Sequence, residues 1–189
     1  AITEMLSPEF IEPRKALSKW SAAEVLIAPP TLVAMKEIAG FEREETESLD
    51  EARIRLARRL RERSNAASGN IDSVEMGPRL ICIPLRTKTL PPATHTNCFI
   101  VGRREFVVID AASNDDDEIA KLFAVVDSLF ENGGRCREII VSHLHRDHFG
   151  GEASLRNHLY TKFGVDIPIS AHQVTAESLG DKVRIDRFI

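Results

Sequence analysis

The stretch Glu138-Ile139-Ile140-Val141-Ser142-His143-Leu144-His145-Arg146-Asp147-His148-Phe149-Gly150-Gly151 decides how this chain is read. Its first part, around Ile139-Ile140-Val141, is apolar without alternation, as expected of a strand buried on both faces. Three imidazoles and one carboxylate then fall within the six positions His143 to His148. His143 and His145 stand two apart, so in extended backbone they project to one side and can grip one metal. Asp147 and His148 lie where the chain turns toward a helix and can point back at a neighbouring site. Neutral imidazole and carboxylate are good ligands for zinc, manganese or iron. Gly150-Gly151 lets the backbone pack closely beside such a site. Open α/β sheets place ligand sites at the carboxyl ends of their strands, where this cluster falls.

The flanking sequence builds a frame for that strand. Cys98 to Val101 and Glu105 to Ile109 read as two strands joined by a tight turn at Gly102-Arg103-Arg104. A helix is expected from Asp115 to Asn132, with the stripe Ile119, Leu122, Phe123, Val126, Leu129 and Phe130, ended by Gly133-Gly134. Strand, helix and strand then form a βαβ unit with a right-handed crossover. Beyond the motif come a helix from Glu152 to Phe163 and a strand through Ile167 and Ile169. Arg79 to Leu85 reads as a further strand whose pairing Pro84 limits, and Thr87 to Thr96 as a loop. Cys82 and Cys98 read as buried small apolar groups, with Cys136 ambiguous. Asp110, at the end of a strand beside the motif strand, either fixes a ligand imidazole or merely caps the strand. His95 reads as a solvated loop residue near a site mouth, and His158 as a surface or packing residue.

Residues 1–72 look different: helical, without a catalytic cluster. Pro29-Pro30-Thr31 starts one helix, which ends at Gly40. Ser48 and Glu51 form a capping box for a second. Its apolar stripe is Leu49, Ala52, Leu56, Ala57 and Leu60. Acids crowd its start and arginines (Arg53, Arg55, Arg58, Arg59, Arg61, Arg63) its end, complementing the helix dipole. The arginine run reads either as a solvated, ion-paired face or as a phosphate or RNA patch. Trp20 is read as core. Ala66-Ala67-Ser68-Gly69-Asn70 reads as a linker. The domain division is thus a helical extension at 1–72 and a metal-binding domain at 73–189.

The whole composition fits a soluble globular protein. The chain has 189 residues, 43% hydrophobic and 29% charged, with a net charge of −4. A chain of this length buries about 70% of its unfolded surface, enough for a core without disulfides. Three cysteines, none in a CxxC pair, exclude a disulfide scaffold and a zinc knuckle. No apolar run is long enough to span a bilayer, and no secretory signal is visible. Cytoplasm is the expected location, with no membrane partner. The first residue is Ala, so the chain reads as processed or trimmed.

The motif H-x-H-x-D-H at His143, His145, Asp147 and His148 resembles that of the metallo-β-lactamase superfamily. Thr96-Asn97-Cys98-Phe99-Ile100-Val101-Gly102, Val108-Ile109-Asp110 and Ile140-Val141-Ser142 match the family context. Pro168-Ile169-Ser170-Ala171-His172, followed by Thr175-Ala176, resembles hydrolases of the glyoxalase II and β-lactamase-like-2 kind. The resemblance covers roughly residues 75–189. It implies an α/β (α+β) fold: the αβ/βα sandwich of the family, here only its first half, with an N-terminal helical extension. It further implies that His143 and His145 bind a first metal. Asp147 and His148 bind a second, and Asp147 also orients the attacking hydroxide. The implied cofactor is zinc, two ions per complete site, with manganese or iron as alternatives. A full family member adds a third histidine to the first metal, a bridging aspartate and one more histidine downstream; none is visible here. Trp20, Glu24-Val25-Leu26 and Pro29-Pro30-Thr31-Leu32 faintly resemble the end of some Nudix hydrolase domains, without the Nudix box.

Three functions follow as expectations. One is a hydrolase cutting an ester, thioester or related bond of a small molecule by metal-bound hydroxide. The second is an RNA-cleaving nuclease of the same fold, suggested by the arginine-rich helix. The third is a non-catalytic half-domain that binds metal weakly or serves as an interaction module. In each case the missing C-terminal half, or a second copy of the chain, is a candidate partner.

Overall fold

The computed structural model describes residues 10–67 and 72–189. The chain divides into two units, residues 1–70 and 71–189. The described part of the first unit is three helices, α1 (Pro13–Ser21), α2 (Pro29–Ala39) and α3 (Leu49–Ala67). Prolines open α1 and α2, where their missing N–H costs nothing. The capping box of α3 forms as expected: Ser48 N–H donates to Glu51 at 2.9 Å and Glu51 N–H to the Ser48 hydroxyl at 3.3 Å. The apolar stripe of α3 needs correction. Ala52 is buried and Leu56 and Leu60 are partly buried, but Leu49 and Ala57 face outward. The linker also shifts, because Ala66 and Ala67 belong to α3, and Ser68 to Asn70 lie outside the described residues. α1 was not anticipated from sequence. Its buried Trp20 is 2% exposed, consistent with a core role.

The second unit is a seven-stranded mixed sheet with helices. The strands lie in chain order: β1 (Val74–Gly77), β2 (Leu80–Arg86), β3 (His95–Gly102), β4 (Glu105–Ile109), β5 (Arg135–Val141), β6 (Ile169–Ala171) and β7 (Arg187–Phe188). β1 through β4 pair antiparallel, and β4 through β7 parallel. Between them run α4 (Asp116–Glu131), α5 (Glu152–Phe163) and α6 (Gln173–Leu179). The switch at β4 is the expected βαβ unit, β4–α4–β5. Asp115 caps α4, its carboxylate accepting the N–H groups of Asp117 and Glu118.

Several strand limits move. β3 begins at His95, three residues before the expected start, so His95 sits on a strand and not in a loop. β5 begins at Arg135, which places Cys136 inside a strand, buried. β1, α6 and β7 escaped sequence reading because they are short or weakly patterned. Pro84 behaves as expected. It pairs with Asn97 on β3, while the pairing of β2 with β1 ends at Cys82. The missing N–H thus falls where no second neighbour needs it.

One sheet face carries the core: Ile83, Leu85, Cys98, Ile100, Phe106, Val108, Ile139 and Val141. These pack with Ile119, Leu122 and Val126 of α4 and with Leu155 and Leu159 of α5. The other face carries Phe99, Val107, Ile109 and Ile140, each only partly buried.

Candidate metal centre

The site is built where β4 and β5 end side by side. Parallel pairing sets Ile109 opposite Ile140, so Asp110 and the chain leaving Val141 emerge together. Asp110 is 5% exposed and adopts φ 59°, a left-handed conformation uncommon for a residue with a side chain. Its contacts hold it there. Oδ1 accepts the Ser142 N–H at 2.8 Å. Oδ2 accepts the Ser142 hydroxyl at 2.7 Å and faces His148 Nδ1 at 2.8 Å. Asp110 thus touches both the backbone leaving β5 and the His148 imidazole.

The hydrogen bonds set the tautomers. The Ser142 hydroxyl gives its proton to Asp110, so its oxygen accepts from His143 Nδ1 at 2.9 Å. His143 then presents Nε2 with its lone pair. By the same logic His148 donates Nδ1–H to Asp110 and presents Nε2. A carboxylate behind an imidazole, fixing its ring and sharpening its basicity, is how metal-binding histidines are held.

The outward-facing ligand atoms face one another. His143 Nε2 lies 3.1 Å from His145 Nδ1. Two donors at about 2.0–2.1 Å from a tetrahedral zinc stand about 3.3–3.4 Å apart, so this spacing fits one shared ion. His148 Nε2 lies 3.8 Å from Asp147 Oδ2, the second expected pair. The His143 and His148 rings are 3.9 Å apart, which joins the two pairs into one cluster. Asp110, His143 and His148 form a group whose donor atoms all lie within 4.8 Å of one another, as a metal ion requires. Within that group Asp110 has both oxygens occupied by Ser142 and His148, so it suits orientation better than direct ligation. The structure therefore gathers all four motif residues and Asp110 at one place.

The electrostatics favour metal-ready protonation states. Burial, and then the neighbouring His148 and His145 rings, push the His143 pKa down, keeping its imidazole neutral. The Thr89 hydroxyl beside Asp147 holds that carboxyl below the usual range, so it is ionised at neutral pH. Neutral imidazole and ionised carboxylate are the forms that bind metal.

The loop beneath the cluster is packed by Gly150 and Gly151. Gly150 has φ +133°, a conformation side chains disfavour. A Cβ on Gly151 would lie 2.5 Å from the Ser113 carbonyl oxygen and 2.7 Å from that of Ala111. The Gly151 N–H donates to Ala111 at 2.7 Å, tying the motif loop to the segment after Asp110. Glu152 seals the turn: it is 3% exposed and accepts the Gly150 N–H at 2.8 Å. Burial raises its pKa to about 7.

Sequence reasoning missed three contributors: Thr89, Ser142 and Glu152. Ser142 precedes the motif directly, so its hydroxyl was within reach of a local argument. Thr89 lies in a loop and carries no pattern. Glu152 looked like an ordinary acidic residue at a helix start.

The remaining histidines take other roles. His172 caps α6, its Nδ1 accepting the Val174 N–H at 3.3 Å. His158 pairs with Asp127 at 2.7 Å and stacks on Phe123 at 4.1 Å, joining α5 to α4. His95 is exposed and contacts Thr94 at 2.8 Å. In the first unit the arginine run is largely ion-paired. Arg55 meets Glu47, Arg59 and Arg63 both meet Glu37, and Arg53 meets Asp50. None of the described helices is long and apolar enough to cross a membrane.

Comparison with known proteins places these observations. The family model of the metallo-β-lactamase superfamily matches residues 91–183. The DIM-1 metallo-β-lactamase exposed to ceftazidime is a similar solved structure, at 13% identity and TM-score 0.46, covering 62% of this chain and 50% of that one. A metallo-β-lactamase from Pontibacter korlensis has 14% identity and TM-score 0.49, covering 64% of this chain and 53% of that one. A β-lactamase domain protein from Burkholderia ambifaria has 15% identity and TM-score 0.46, covering 58% of this chain and 36% of that one. This chain thus spans about half the length of the first two structures. Comparison with curated proteins gives no match.

Proposed function

Because residues 91–183 belong to the metallo-β-lactamase superfamily, we propose that the chain contributes the motif half of a metal-dependent hydrolase. Its substrate is a small molecule with an ester, thioester or related bond. The observation that carries this reading is the facing of ligand atoms, His143 Nε2 toward His145 Nδ1 at 3.1 Å and Asp147 Oδ2 toward His148 Nε2 at 3.8 Å. His143 and His145 would hold a first zinc ion, and Asp147 and His148 a second. Bound zinc supplies a polarising charge and acidifies water to near neutrality. The chain's own residues do the rest. Ser142 and Asp110 hold the imidazoles with the correct nitrogen outward. Asp147, ionised beside Thr89, accepts a hydrogen bond from water at the centre and aims it at the substrate carbonyl.

Zinc sites take three or four protein donors. An ion shared by His143 and His145 would need a further donor, which a second copy of the chain or a segment outside the described residues would supply. The helical residues 1–72 act as an extension of the metal-binding domain at 73–189. The ion pairing of the α3 arginines leaves the nuclease reading without a specific observation in its favour.

The test is turnover of a panel of aryl esters and thioesters by zinc-loaded protein. His145→Ala and Asp147→Ala are each expected to lower turnover by at least about 100-fold. Unchanged turnover in both variants overturns the reading.

A further inference from the structure

A cavity of about 640 Å³ opens beside the metal centre, within the second unit. The end of β2 and its following loop bring Arg86 and Lys88 to it. The segment after β4 brings Ser113 and Asn114, and the motif loop brings Arg146 and Phe149. That size suits a substantial part of a small-molecule ligand.

The charge balance in this cavity runs against that of the chain. The protein is acidic, at −4, yet three cations line one hollow. Arg86 is 3.1 Å from Glu118, but Glu118 also holds Lys121 at 3.0 Å, so one carboxylate serves two cations. Asp115 is an acid in the lining, and its carboxylate is turned to the start of α4, where it accepts two backbone N–H groups. Lys88 and Arg146 have no carboxylate partner among the described residues. An uncompensated ammonium and guanidinium in a concave site attract an oxyanion. The guanidinium fork matches phosphate or carboxylate geometry.

The position gives the cations a purpose. Arg146 stands between His145 and Asp147 in the chain, and Gly150, also in the cavity wall, follows the motif by two residues. An anion held there would rest against the same loop that carries the donors. Phe149 offers an apolar surface for the portion of substrate between the two.

We propose that this cavity is the subsite for an oxyanion group of the substrate, a phosphate or a carboxylate, bound by Lys88 and Arg146. The inference rests on the hydrolase reading for its role, not for its binding chemistry. Anchoring a remote charge would let binding energy orient the reacting bond.

The test is calorimetric titration of the zinc-loaded protein with phenyl phosphate, with benzoate and with neutral phenol, the zinc content of each sample being measured separately. One of the two anions is expected to bind saturably, phenol not. Preference for phenyl phosphate assigns a phosphate group, and preference for benzoate a carboxylate. Lys88→Ala and Arg146→Ala are each expected to weaken that binding by about tenfold, with zinc content unchanged. His145→Ala with Asp147→Ala should weaken it by less than about threefold, since the cavity cations remain. Absence of saturable anion binding overturns the proposal. So does binding that survives loss of both cations but vanishes with the metal ligands. If wild-type protein holds no zinc but binds the anion through Lys88 and Arg146, the subsite stands and the hydrolase reading falls.

Discussion

Two histidine–aspartate hydrogen bonds occur among the described residues of the second unit, and their surroundings differ. His148 Nδ1 meets Asp110 at 2.8 Å, and His158 Nε2 meets Asp127 at 2.7 Å. Their imidazole side chains are about equally exposed, at 25% and 22%. By contact distance and exposure alone the two cannot be told apart. What separates them is the surroundings. His148 turns its second nitrogen toward Asp147, with His143 beside its ring. His158 lies flat on Phe123, and its aspartate gives its other oxygen to Lys162 at 2.8 Å. One pair aims its second ring nitrogen at other metal-competent side chains. The other closes on itself and fastens α5 to α4. On the proposed reading, a carboxylate-backed histidine serves a metal only where its far nitrogen faces other ligand atoms.

The sharpest way to break this comparison is to remove donors on each side. His145→Ala or Asp147→Ala should abolish most turnover and zinc retention, whereas His158→Ala should leave zinc content at the wild-type value; metal analysis after dialysis reads both. The next effect concerns the backing carboxylates. Asp110→Asn should weaken zinc binding by about 10- to 100-fold, and Asp127→Asn should not change it; competition with a chromophoric chelator measures the difference.

A smaller effect separates the support of the site from its donors. Glu152 has a folded pKa of about 7 against an ordinary 4.5. The folded state thus keeps a proton that the unfolded chain releases above that ordinary value. The contribution of Glu152 to stability is therefore greatest at low pH and is lost as pH rises from about 4.5 to about 7, with a constant penalty beyond. Glu152→Gln removes the ionisation and keeps an oxygen for the Gly150 N–H. It should stabilise the protein above pH 7 by roughly 1–3 kcal/mol, read by denaturant unfolding at pH 5 and pH 8. A pH-independent effect would contradict the assignment. The smallest effect is that of His158→Ala on the helix layer. Losing the Phe123 stack and one hydrogen bond should cost about 1–2 kcal/mol of stability, seen as a lower thermal midpoint with intact zinc.

The same contrast explains what could be read from sequence. His143, His145, Asp147 and His148 were legible because the one short loop leaving β5 holds them all, and local spacing brings them together. The strand pair that carries Asp110 was legible from its βαβ pattern, though its role needed the register of β4 on β5. The Asp127–His158 tie was not legible, because it links residues 31 apart on two helices whose packing no local pattern specifies. Thr89 and the cavity cations were hidden for the same reason: a loop, a strand end and the motif meet only in the folded unit. In the first unit, α3 was marked by its capping box, but its inward face was misjudged at Leu49 and Ala57. Arginine pairing to Glu37 and Glu47 helps set which side of that helix turns in.

The central claim is that the donors of the H-x-H-x-D-H loop, and not histidine–aspartate pairing as such, hold the metal. Zinc per chain, measured after exhaustive dialysis in wild type, in His145→Ala with Asp147→Ala, and in His158→Ala, tests it directly. The account predicts bound zinc in the wild type, its loss in the double variant and its retention in His158→Ala. Full zinc in the double variant, or loss of zinc in His158→Ala, would contradict it.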